Sequence, residues 1–202
     1  MEPTAVEHAE RRLVKAEKSL SALEAATNFD AAEEAWTDFL LAVAGIYSKL
    51  EQGAKSSGPS LGWFGRQKKL RRDDTLLRYL HYARNSDEHG IERVVSRFNQ
   101  NGELWGKRPK FGERVPLKMQ RIDDVTGQPA GDVHEAMFQG DTIKLIRVHD
   151  RRFGDFCDPP QTHLGNKISY YEEPFDIGRL ALAHLKALIA EAATLARAAR
   201  GS

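Results

Sequence analysis

Cysteine is almost missing from this chain. Cys157 is the only one in 202 residues, which excludes an internal disulfide and argues against a structural zinc site built on several thiolates. A reducing cytoplasm is the expected setting. Long apolar runs are missing as well. The longest, FLLAVAGI at 39–46, falls far short of the roughly twenty residues that a membrane-crossing helix needs, so no membrane contact is expected. The opening MEPTAVEHAERR is charged and has no apolar centre, so no signal peptide is read there. An excess of one charge is also lacking. Lys and Arg total 30 against 29 Asp and Glu, a net charge of +1, so any binding of nucleic acid has to come from a local patch. Walker loops, GxGxxG and GxSxG do not occur, which removes the usual phosphate cradles and the hydrolase nucleophile elbow. No cofactor is expected. Neither an internal repeat nor a low-complexity segment is found.

What remains is a chain with 41% hydrophobic and 29% charged residues, the balance of one folded domain spanning 1–202. Four stretches carry a helical period. Val6, Ala9, Leu13, Ala16, Leu20 and Leu23 form one stripe. Asn28 or Asp30 then offers an N-cap to a second, with Trp36, Leu40, Val43, Ile46 and Leu50, ending near Gly53. GAKSSGPSLG at 53–62 reads as a loop. A third pattern begins near Asp73 and carries Leu76, Leu80, Ala83, Ile91, Val94 and Phe98. The last holds Ile177, Ala181, Leu185, Leu188, Ala192 and Leu195, with Asp176 as its cap.

Between the third and fourth patterns the character changes. VPLKMQRI (115–122), DTIKLIRVHD (141–150) and KISYYE (167–172) read as strands, and DDVTGQPAGD (123–132) as a loop between them. The expected architecture is mostly α: a four-helix bundle from 1–102 and 174–200, with a small antiparallel β insertion at 103–173 before the C-terminal helix.

The polar stretch LHYARNSDEHG (80–90) interrupts this order. Asp87 occupies the place of a core residue between Ala83 and Ile91, and a carboxylate there needs a partner or water. The helix therefore either breaks near Asn85–Ser86, where NSDE resembles a helix start, or holds a polar network. His81, Asn85 and His89 share one column, and Arg84 and Glu88 are spaced for an ion pair. Arg84 and His89 stand about 140° apart on an ideal helix. They converge only through a kink, the long arginine stem, or the same motif from a second chain.

RNSDEH, Arg84 to His89, fits Arg-x4-His. With the polar Asn85 directly after the arginine, it resembles the Arg-x4-6-His signature of HEPN domains (higher eukaryotes and prokaryotes nucleotide-binding). The resemblance covers six residues and a compatible four-helix layout, not the β insertion. It implies a homodimer in which two motifs face each other, RNA as the partner, and metal-independent RNA cleavage in a toxin–antitoxin or defence system, with an antitoxin or effector protein as a further partner. His89 would act as general acid or base, Arg84 would grip the phosphate as charge builds, and Asn85 would orient either. The alternative is a non-enzymatic helical interaction module. In that case the Arg/Asn/His cluster is a structural network and the β insertion is the partner surface.

WFGRQKKLRR (63–72) places Arg66, Lys68, Lys69, Arg71 and Arg72 behind two aromatics, a composition that suits single-stranded RNA. With His81 these are the candidate RNA contacts, and the plainer reading tucks Trp63 and Phe64 onto the bundle. KRPKFGER (107–114) is a second basic stretch. His149, Asp150, Asp155, Cys157, Asp158 and His163 crowd residues 149–163, but no pair has a recognised ligand spacing, so no metal is expected.

Overall fold

The stripe over residues 6–23 forms α1 (Pro3–Glu24), opened by a proline at a position where its missing N–H is harmless. Asn28 then caps α2 (Phe29–Ala54), its Oδ1 accepting from the Ala31 amide at 2.9 Å. In the computed structural model residues 1–89, 93–99, 104, 106–150, 154–169 and 172–198 are described, the side chains of 87–89 and 150 excepted. The chain is mostly α, and the described residues form five helices rather than the expected four.

α1 and α2 make an antiparallel hairpin. A side chain at Gly53 would stand 2.4 Å from Ala5 Cβ, so the end of α2 rests against the start of α1. On α2, Trp36 stacks on Phe39 with ring centroids 5.3 Å apart, and Leu40, Ile46 and Leu50 continue the buried face. The last helix, α5 (Pro174–Ala198), lies on the same core. Gly178 lets α1 come close, since a Cβ there would meet Leu20 Cδ1 at 2.5 Å. Asp176 does not cap α5. Proline has its φ preset for the first helical position, so the helix opens two residues earlier and Asp176 sits in its first turn, paired with Arg114.

The fifth helix is α3 (Gly58–Asp73), where a loop was expected through residue 62. Ser57 caps it, and Pro59 lies in the first turn, where proline is tolerated. Its anchors are few: Ser60, Trp63 and Phe64 are buried, and Trp63 Nε1 donates to Glu191 on α5 at 2.8 Å. The plainer reading of the two aromatics therefore holds.

Asp74 separates α3 from α4 (Thr75–His89) and caps the latter through the Leu77 amide at 2.9 Å. α4 runs unbroken through Asn85–Ser86, which excludes the first of the two alternatives, a helix break there. Its core face is Leu76, Tyr79, Leu80 and Ala83, with Ser86 also buried. The third helical pattern does not extend to Phe98. Val95–Phe98 form strand β1, in which the β-branched Val95 is buried. Ile91 lies outside the described residues. The β region thus begins ahead of residue 103.

The remaining strands are β2 (Arg114–Ile122), β3 (Pro129–Gln139), β4 (Thr142–Leu145), β5 (Val148–Asp150), β6 (Asp155–Cys157), β7 (Thr162–His163) and β8 (Asn166–Lys167). They pair as four separate antiparallel ladders, β1–β4, β2–β3, β5–β6 and β7–β8. The expected strand at 141–150 is therefore two strands, and that at 167–172 reaches only Lys167 among the described residues. β2–β3 is a long ribbon with a bulge between Met119 and Arg121. Its turn is tied by Asp123 Oδ1, which accepts from the amides of Val125 and Thr126. No helix among the described residues is long and apolar enough to cross a membrane.

Candidate functional site

The basic run of α3 is sorted by helical geometry. At about 100° per residue, Lys68, Arg71 and Arg72 share a side with Leu61, Phe64 and Gly65, while Arg66 and Lys69 point elsewhere. The shared side forms one wall of a cleft of about 750 Å³, completed by Glu51 and Lys55 of α2 and by Arg78, His81 and Tyr82 of α4. Four of the six expected RNA contacts, Lys68, Arg71, Arg72 and His81, therefore meet in one place, and Arg66 and Lys69 are absent from the lining.

The cleft is strongly cationic. Its five lysines and arginines face one lining acid, Glu51, and that carboxylate bonds Lys68 Nζ at 3.0 Å. Arg71 is held against an aromatic ring of α2. Its guanidinium lies over the Tyr47 ring, 4.7 Å from the centroid. Burial lowers its pKa, opposed by Tyr47 and Glu51, but an arginine stays charged at any physiological pH. A half-desolvated cation has given up part of its hydration and interacts strongly with an incoming anion. The floor is apolar, with Phe64 buried and Leu61 exposed at the rim. Tyr82 closes the α4 side, its hydroxyl donating to Asp155 Oδ2 at 3.3 Å.

Behind Arg71 lies a polar chain of which the sequence offered only His163 as a candidate, and that as a metal ligand. The Tyr47 hydroxyl is 3.3 Å from His184 Nε2, the His184 ring meets His163 edge-on at 5.7 Å, and His163 Nδ1 is 3.0 Å from Asp74 Oδ1. Asp74 Oδ2 also accepts the Leu164 amide at 2.7 Å, which holds Leu164 at its uncommon φ of 48°. Burial alone would raise the Asp74 carboxyl. The Leu164 and Leu77 amides and His163 outweigh it and hold the pKa below the ordinary value. Burial, and then the charge of His163, push His184 down, and burial pushes Tyr47 up. No short-range spacing announces these four residues. They come from α2, the α3–α4 junction, β7 and α5, and only the fold brings them together.

The expected catalytic trio is described in part. Arg84 Nη1 donates to Asn85 Oδ1 at 3.2 Å, and both side chains are half-buried. Asn85 follows His81 by one turn on the cleft-facing side, whereas Arg84 is rotated about 120° from Arg78, and neither lines the cleft. The side chain of His89 lies outside the described residues, as do those of Asp87 and Glu88. The anticipated core carboxylate and the Arg84–Glu88 pair therefore lie outside the description too.

The other candidates are spoken for. Arg114, from the second basic stretch, pairs with Glu173 at 3.2 Å and Asp176 at 2.9 Å, away from the cleft. Arg147 holds Asp158, His149 stacks on Phe156, and Cys157 is buried with its thiol pushed up by that burial. No group of three potential metal ligands occurs among the described residues. A second basic hollow, of about 340 Å³, is walled by His8, Arg11, Arg12, Lys15 and Lys49. The i, i+3, i+4, i+7 spacing of the four α1 residues was a signal for it. No family model, curated protein or solved structure matches this chain.

Proposed function

We propose that this protein binds single-stranded RNA in the cleft between α2, α3 and α4, as an HEPN-like protein of a toxin or defence system acting as a homodimer. The observation that carries the reading is the cleft itself: five lysines and arginines over an apolar floor, with Arg71 half-buried on Tyr47 and one lining acid engaged by Lys68. Phosphates answer the cations, and bases suit the apolar floor and the Tyr82 ring. The test is a titration with short fluorescent oligoribonucleotides. Binding that weakens as salt rises supports the reading, and no binding at low salt removes it.

Cleavage is the second part of this proposal and is tested separately. In the HEPN-like reading the 2′-oxygen attacks the adjacent phosphorus, the bond to the 5′-oxygen breaks, the 2′-hydroxyl proton passes to a base, and the leaving oxygen takes up a proton. The products end in 2′,3′-cyclic phosphate and 5′-hydroxyl. His89 is the acid–base candidate, with Arg84 and Asn85 the phosphate contacts. RNA is expected to be cut in EDTA by the wild type and not by folded His89→Ala or Arg84→Ala. Wild-type protein inert on several RNAs rules cleavage out while leaving binding intact.

One observation favours the interaction-module alternative. The β2–β3 ribbon exposes Met119, Ile122, Val125, Val133 and Met137, an apolar set that suits a protein partner such as an antitoxin. A ribbon shortened to its first ladder pairs keeps RNA binding under the main proposal and loses the protein partner under the alternative.

A further inference from the structure

Gly65 is the unexplained residue of the cleft. It lies inside α3, where glycine weakens a helix relative to alanine, and its helical backbone does not call for glycine. A Cβ built there would meet nothing within 4 Å, so no close approach within the chain calls for glycine either. What lies over it is the open volume of the cleft, which Gly65 lines.

Around this bare stretch of backbone the chemistry divides. On the apolar side stand Leu61, 56% exposed one turn earlier, the buried Phe64, and Tyr82 across the cleft. On the other stand Lys68, Arg71 and Arg72, with Arg78 opposite. Gly65 and Arg71 are separated by about 9 Å along the helix axis and about 120° around it, with Lys68 between them on the cleft wall. An apolar surface beside a cluster of cations is the complement of a nucleobase carrying its phosphate.

We propose that the cleft receives a single nucleotide, its base lying on the α3 backbone at Gly65 between Leu61 and Tyr82, and its phosphate held by Lys68, Arg71 and Arg78. Gly65 is then the residue that sets how large a base the cleft accepts. The inference rests on the reading of the cleft as an RNA site. The same chemistry is offered by one unstacked residue of an RNA strand and by a free mononucleotide, and the test separates them.

The test uses Gly65→Ala, Gly65→Leu and Gly65→Gln in the full chain, with a short fluorescent oligoribonucleotide, AMP and UMP as probes, and thermal melting to follow folding. Since a Cβ at 65 meets nothing within 4 Å and glycine weakens a helix, all three variants are expected to melt no lower than the wild type. Gly65→Leu and Gly65→Gln are expected to weaken oligonucleotide binding about tenfold, the loss of one stacked base, and Gly65→Ala by much less. Binding unchanged in the two larger variants, while Lys68→Ala/Arg72→Ala weakens it, overturns the base placement and leaves the RNA reading standing. Wild-type binding of AMP or UMP that Gly65→Leu abolishes, with no oligonucleotide binding, supports the nucleotide seat and removes the RNA reading. Binding of none of the probes overturns both.

Discussion

Arg71 and Arg12 both lie over a residue of α2, yet they meet different surroundings. Arg71 rests on the Tyr47 ring at 4.7 Å, and Tyr47 is backed in turn by His184. Arg12 lies over Gly45, where an added Cβ would be 3.1 Å from its Cδ, in a hollow walled by His8, Arg11, Lys15 and Lys49. The first guanidinium is half-buried and fixed in direction, while the second is exposed. Equal formal charges therefore carry different expectations. A fixed, partly desolvated cation gains strongly from one well-placed phosphate. An exposed cation keeps its water, is screened by salt and discriminates little.

The largest expected effect follows directly. Arg71→Ala should weaken binding of a short single-stranded RNA by about ten- to a hundredfold, the range for losing a hydrogen bond between charged groups. Arg12→Ala should change it by less than about twofold, as for exposed charges. Fluorescence titration at one fixed salt concentration compares the two. Equal losses would show that the hollow on α1 and α2 is part of the same RNA path and would erase the distinction.

Salt dependence sharpens it further. Each phosphate contact removed from a single strand lowers the slope of log affinity against log salt by about 0.7. Lys68→Ala/Arg72→Ala should therefore reduce the slope by about 1.4, and Arg11→Ala/Lys15→Ala should leave it close to the wild-type value. A salt series on each double variant reads both numbers.

The two regions were also unequally legible in the sequence. α1, α2 and α5 bury regular stripes such as Leu20–Leu23 and Leu185–Leu188, so period alone finds them. The β2 strand alternates and was found the same way. α3 hides behind Gly58, Pro59 and Gly62, which look like a loop. It is a helix because Ser57 caps it, Pro59 sits in the first turn and Trp63 bonds Glu191. The basic residues were legible as a run, but which of them face one cleft depends on that helix. The support behind Arg71 was not legible as a unit. Asp74, His163, His184 and Tyr47 are brought together by tertiary packing, and Arg84 and Asn85 were singled out by a motif while the cleft formed one turn earlier on α4.

The polar chain behind Arg71 makes the stability of the fold depend on pH. His184 has a folded-state pKa below the ordinary histidine value of about 6.5, from burial and then His163. The unfolded chain therefore binds more protons than the folded one as pH falls below that value. The stability His184 contributes is fully present above it and is lost as pH falls through the lowered folded pKa. The Asp74 carboxyl is also held low, so its contribution is lost only in stronger acid, below the ordinary carboxylate range. The melting temperature should decline between pH 7 and pH 5, and His184→Gln should flatten that decline. A variant with an unchanged slope would mean that other histidines set it.

The smallest effect is expected at the glycine beneath Arg12. Gly45 lies inside α2, so alanine there removes the helix penalty of glycine, worth up to about 1 kcal/mol. The new methyl would press on Arg12 Cδ at 3.1 Å, but that contact belongs to an exposed, flexible stem that swings aside easily. Gly45→Ala should therefore raise stability slightly in chemical denaturation and leave RNA affinity unchanged, even though it displaces a cation. Gly178 is the contrasting position. A methyl there would meet Leu20 Cδ1 at 2.5 Å in the α1–α5 core, and crowding of a packed interior costs about 1–3 kcal/mol. If Gly45→Ala weakened RNA binding as much as loss of Arg71 does, the direction of Arg12 would matter, and the two guanidinium groups would have to be read as parts of one surface.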